Sequence, residues 1–123
     1  MTVAAIASVA LGGAFGSVLR YMLNRWIGQP DGLPLGILIV NLSGTLVLGL
    51  VATLFLERLG VSDNLRLAIT VGLLGGFTTF STVWLDTLHL LNGGRWYWAL
   101  ANLLVSAVGG LAAAWLGQQL ARL

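Results

Sequence analysis

Gly72-Leu73-Leu74-Gly75-Gly76-Phe77-Thr78-Thr79-Phe80-Ser81-Thr82-Val83 sits in the middle of an uncharged segment long enough to cross a membrane, yet it makes a poor continuous helix. Each glycine in a helix interior costs about 1 kcal/mol relative to alanine, and here two are adjacent. Four hydroxyl residues follow at once, with Phe77 and Phe80 among them. The expectation is a break in the helix. Backbone freed from helical pairing inside a bilayer must be buried in protein or face a water-filled cavity, because each orphaned group costs several kcal/mol in hydrocarbon. A helix broken at mid-membrane usually marks an ion or substrate site. On the competing reading, the glycines only let helices approach closely while the hydroxyls bond back to the preceding turn. The crowding of Thr78, Thr79, Ser81 and Thr82 beside a double glycine favours the break.

The rest of the chain agrees with a membrane setting. It is 58% hydrophobic and 8% charged over 123 residues, outside the range of a soluble domain. Cysteine is absent, which excludes disulfides, thiolate metal sites and thiol nucleophiles. Six arginines face four acids, and there is no lysine. Charges so few and so scattered serve to anchor loops, not to bind nucleic acid. The first apolar run has neither a preceding basic region nor a convincing cleavage site, so it is expected to be a retained first helix.

The fold expected is an all-α membrane protein, a single domain of four spans at about residues 2–22, 35–56, 67–90 and 96–121. Span one ends at Arg20-Tyr21, and Arg20 either snorkels to the headgroups or lines an aqueous mouth that draws anions inward. Gly12 and Gly16 form a GxxxG pair, by itself a weak packing signal. The connector around Pro30, Asp31, Gly32 and Pro34 is rich in turn formers. Span two is uncharged and carries Asn41, which serves either as interhelical glue or as a donor to a passing anion. Ser62 or Asp63 is available to cap span three. In span four, two stripes of small residues, Ser106-Gly110-Ala114 and Gly109-Ala113-Gly117, allow close approach of other helices. Asn102 and Ser106 are either packing groups or part of a pathway.

Between the helix ends the spans lack acidic and basic groups, so a proton-coupled carrier has nowhere to hold its proton. Neutral donors remain: Asn41, Ser43, Thr78, Thr79, Ser81, Thr82, Asn102 and Ser106. Such donors can replace an anion's water without trapping the ion, as conduction requires. Chemistry alone therefore points to a small anion channel of unnamed ion. Ser81, Asp86 and His89 invite a hydrolase reading, but they lie on one helix five and eight residues apart, and no second histidine exists. An interfacial polar cluster explains Asp86 and His89 better.

At Gly12-Gly13-Ala14-Phe15-Gly16 through Arg20-Tyr21, at Val40-Asn41 with Gly44 and Gly49, and above all at Gly75-Gly76-Phe77-Thr78-Thr79-Phe80-Ser81-Thr82, the sequence closely resembles the Fluc (CrcB) family of small fluoride channels. The resemblance implies an antiparallel homodimer of four-helix subunits, with two fluoride pores between them and the third helix of each broken at mid-membrane. It also implies a central sodium ion held by backbone carbonyls of Gly75 and Thr78 from both subunits. Asn41 takes the pore asparagine role, Phe80 the aromatic contact, Ser81 and Thr82 the hydroxyl track with Ser106 on the pathway, and Arg20 the vestibule role. Two positions depart from the pattern: Val83 stands where the family often has a second phenylalanine, and Gly110 where it often has a hydroxyl.

Arginine placement adds to this. With four spans, Arg58, Arg66 and Arg122 lie on one side and Arg20, Arg25 and Arg95 on the other, three against three. The usual positive-inside bias is absent, so orientation is expected to be mixed, as an antiparallel dimer needs. A small dual-topology multidrug-type exporter would want an acid within span one, where there is none. A non-transporting assembly subunit leaves the hydroxyls around Gly75-Gly76 unexplained. The expected activity is passive export of fluoride across the cytoplasmic membrane, with no enzymatic chemistry and no nucleic-acid partner.

Overall fold

The structure, a computed structural model, describes every residue from Met1 to Leu123 and contains only helices and connectors. Helix α1 (Val3–Ile27) leads through a short 3-10 turn at Pro30–Gly32 to α2 (Leu35–Glu57). The third span is assembled from α3 (Asp63–Leu67), a π-helical stretch (Ala68–Leu74), α4 (Gly75–Phe77) and α5 (Ser81–Asn92). The fourth comprises α6 (Trp96–Leu104), a second π-helical stretch (Val105–Gly109) and α7 (Gly110–Arg122). The four helical runs, Val3–Ile27, Leu35–Glu57, Asp63–Asn92 and Trp96–Arg122, are each long and apolar enough to cross a membrane. The chain is a multi-pass membrane protein.

Local chemistry sets the ends of these runs. The α1 helix continues past Arg20 to Ile27, farther than its apolar stretch, because nothing before Gly28 interrupts it; Gly28, at φ 74°, does. Arg25 in its last turn complements the carbonyl end. At the start of span three Ser62 is the cap, its hydroxyl accepting Leu65 N–H at 3.3 Å. Arg122 holds the far ends of α2 and α7 together, donating to Glu57 at 2.7 Å, while Arg58 donates to the Arg122 carbonyl at 3.0 Å. On the opposite side Arg95 donates to the Asp31 carbonyl at 2.6 Å, tying the first connector to the last.

The double glycine turns out to be helical: Gly75 sits at φ −66°, ψ −36°. The chain first becomes extended at Thr78, where ψ is 156°. Gly72 and Gly76 in this half of the span are used for contact. A methyl at Gly76 would lie 2.7 Å from Gly13 O and one at Gly72 2.8 Å from Val9 O, while methyls at Gly12 and Gly16 would overlap the carbonyls of Ala68 and Leu73. The Gly12/Gly16 pair thus seats α1 directly on the backbone of the third span. A second seam joins α2 to α7, where Gly49 meets the Ala114 carbonyl and Gly117 the Leu46 carbonyl. Helices α5 and α6 pack together beyond the break. Only 18 of 123 residues are buried, among them Val40, Leu74, Phe77 and Val83, so most of the apolar surface faces outward, as lipid permits.

Candidate functional site

A regular helix would pair Thr79 N–H with the Gly75 carbonyl. Instead Thr79 N–H donates to Asn41 Oδ1 at 2.8 Å, and Asn41 Nδ2 donates to the Thr79 carbonyl at 2.8 Å. One amide side chain from α2 thus satisfies both backbone groups of a residue that the helix leaves unpaired, which is what a polar side chain at this depth must do. Asn41 is both glue and wall, and one of its two amide hydrogens stays free. Thr78 remains tied to the preceding turn, its N–H and its hydroxyl both donating to the Leu74 carbonyl at 3.0 Å. The Gly75 and Thr78 carbonyls receive no backbone hydrogen bond.

After the break the hydroxyls organise the start of α5. Thr79 Oγ1 accepts Thr82 N–H at 3.4 Å and lies 3.2 Å from Ser81 Oγ and 3.1 Å from Thr82 Oγ1. It does the work of a cap from one residue before the usual position. Phe80, between them, is 69% exposed and meets Trp84 edge-on at 5.6 Å.

A cavity of about 380 Å³, open on one side, lies against this break. It brings Asn41, Phe80 and Ser106 together with Gly75 and Thr78, and no charged side chain lines it. The π-helical stretch of span four places Ser106 here, its Oγ buried and without a partner. Val83 borders the cavity but is only 2% exposed, a core residue where an exposed ring was missing. Gly110 completes the wall with open space before it.

Other residues singled out from the sequence lie elsewhere. Ser81 and Thr82 are absent from the cavity wall and connect to it only through Thr79. Arg20, on α1, is partly exposed and also apart from the cavity. Asn102 is a packing group: buried between α5 and α6, it donates to Thr87 Oγ1 at 3.0 Å and to the Val83 carbonyl at 3.4 Å. Ser43 bonds back to the Ile39 carbonyl at 2.7 Å and faces outward. Asp86 and His89 border a separate cavity of about 110 Å³ with Gln29 and Arg95, and Ser81 is not part of it. Thr45, also on the wall, went unnoticed in the sequence; its signal is that it lies one helical turn from Asn41.

Chemically, the cavity offers neutral donors, one aromatic edge and freed carbonyls. No three His, Cys, Asp or Glu side chains converge anywhere in the chain. A cation at the break would therefore be held by carbonyl oxygens, which suit a hard ion.

The family model of the CrcB-like proteins (Camphor Resistance, CrcB) matches residues 7–118. A fluoride-specific ion channel of Symbiobacterium thermophilum is 47% identical over 118 residues, covering 94% of this chain and 96% of that protein. One from Magnetococcus marinus is 47% identical over 122 residues, covering 96% and 98%. One from Pseudomonas putida is 42% identical over 122 residues, covering 98% of each.

Proposed function

The chain belongs to the CrcB family, and we propose that two antiparallel copies together complete its conduction pathway. It is a fluoride-specific ion channel of the plasma membrane, and not an enzyme. The observation that carries the reading of the site is the uncharged polar cavity at the helix break. A fixed positive charge there would trap fluoride, and a fixed negative one would exclude it. The free amide hydrogen of Asn41, the unpartnered hydroxyl of Ser106 and the positive edge of the Phe80 ring can take over from hydration water one at a time. From Phe80 the route passes to Ser81 and Thr82, and Arg20 gathers anions at the mouth. Passive flow through this route lets fluoride leave the cell and relieves its toxicity.

The second copy is called for because polar groups cannot face hydrocarbon. Gly75, Phe80 and the open side of the cavity are exposed in one subunit, and a partner of the same sequence covers them. The even split of arginines supports an antiparallel arrangement. Around the resulting axis, the freed carbonyls of Gly75 and Thr78 from both copies fit a sodium ion, which would neutralise their converging dipoles. The ion's contribution is structural, fixing the two breaks against each other.

Fluoride efflux from liposomes holding the purified protein, with chloride as the comparison, tests the channel. Rapid fluoride loss with chloride retained is expected; equal loss of both, or of neither, would refute it. Two or three lysines added between Glu57 and Asn64 should fix one orientation and cut function, and a copy biased the other way should restore it. Full export by the biased chain alone would refute the antiparallel pair.

A further inference from the structure

Five hydroxyl side chains bond back to the preceding turn, while Ser8, Ser17 and Ser106, also on these helices, do not. Ser43, Thr53, Thr70, Thr78 and Thr87 each donate to the carbonyl four residues back, at 2.7 to 3.0 Å. Thr45 stands in the same relation to the Asn41 carbonyl and makes no such bond; its hydroxyl has no partner within the chain. It borders the polar cavity beside Asn41. It also borders a groove of about 460 Å³ that continues between α2 and α7 past Gly49, Thr53 and Gln118, toward the Glu57–Arg122 end. Thr45 is the one residue common to both.

We infer that Thr45 is a further ion-contacting residue, whose hydroxyl donates to fluoride at the junction of the cavity with the α2–α7 groove. This rests on the channel reading above. A threonine on a helix has an alternative acceptor in the carbonyl four residues back, so its proton can turn to the backbone when the ion moves on. The hydroxyl, unpaired within the chain, is available to the ion, and the backbone acceptor within one turn offsets part of what is lost as the ion leaves, which keeps the ion from being held. Asn41 and Ser106 lack this freedom to the same degree, the first being clipped to Thr79 and the second buried.

The test compares Thr45→Val, which keeps the shape without the hydroxyl, with Thr45→Ser, which keeps the hydroxyl. Both go into liposomes beside the unsubstituted protein, with fluoride efflux and dimer content measured together. Thr45→Val is expected to lower fluoride efflux at least tenfold with the dimer intact, and Thr45→Ser to stay within about twofold. Thr45→Ala, also without the hydroxyl, gives the same reading should the valine variant fail to assemble. Undiminished efflux without the hydroxyl, or equal losses in the valine and serine variants, would overturn the inference. Unsubstituted protein that holds fluoride in would instead overturn the channel reading, and this inference with it.

Discussion

The third span is built in two opposite ways along its length. Up to Phe77 it lies against α1 with backbone touching backbone, and glycine is what permits the contact. At Thr79 it parts from its own helical ladder, and a side chain from α2 replaces the missing bonds. The first half is dense and apolar, whereas the second is open and polar. The difference shows how a small membrane protein can keep an irregular backbone at depth: a rigid seam on one side holds the segment that is left unpaired on the other. Tight packing and a broken helix, which compete as readings of Gly75-Gly76, are neighbours here and depend on each other.

The largest effect should come from breaking the seam. A side chain at Gly16 has to displace the Leu73 backbone, and backbone cannot swing aside as a side chain can. Gly16→Leu should leave no folded protein extractable in mild detergent, as size-exclusion chromatography would report. Gly75→Ala is the contrasting case, since the added methyl meets nothing nearer than Thr70 O at 3.7 Å. That subunit should fold normally and lose only fluoride flux, because Gly75 is exposed and borders the polar cavity. Equal damage from the two substitutions would erase the distinction between the halves.

On the break itself, Asn41→Asp should abolish fluoride efflux while the protein still elutes from size-exclusion chromatography as the unsubstituted one does. The carboxylate can still accept Thr79 N–H but places negative charge where an amide donated, against the Thr79 carbonyl and on the wall of the polar cavity. Phe80→Ile should reduce efflux roughly tenfold through loss of the ring edge. The loss should exceed that in a relative with a second phenylalanine at the position of Val83, which is buried here. Efflux that survives Phe80→Ile would mean that hydroxyls and amides suffice. The smallest effect should be that of Thr79→Val, which removes the acceptor for Thr82 N–H and unties Ser81 and Thr82. Its cost, about 1 kcal/mol, should appear as a drop of a few degrees in the melting temperature in detergent.

Much of this was legible in the residues. Four long apolar runs, turn formers between them and arginines at their ends are local features, and each acts through the bilayer without needing a neighbour. The site was legible as a set of donors, but not as a set of contacts. Which hydroxyls bond to their own helix, as Ser43 and Thr78 do, and which remain free, as Thr45 and Ser106 do, depends on what lies opposite. Asn102 reads like Asn41 along the chain and differs only in facing Thr87 across the α5–α6 contact.

The sequence by itself determined that the chain lives in a membrane, how many times it can cross, that the middle of each apolar run lacks charge, and that span three is irregular near its glycines. Hydropathy, charge and glycine content fix these because the solvent they answer to is the same everywhere along the chain. Only the tertiary structure decided where the irregularity falls. Gly75 and Gly76 are free to be helical or not, and both are helical here, Gly76 packed against Gly13 of α1. The chain opens two residues after Gly76, at Thr78, because that is where Asn41 arrives from α2 with a donor and an acceptor for the one residue beyond.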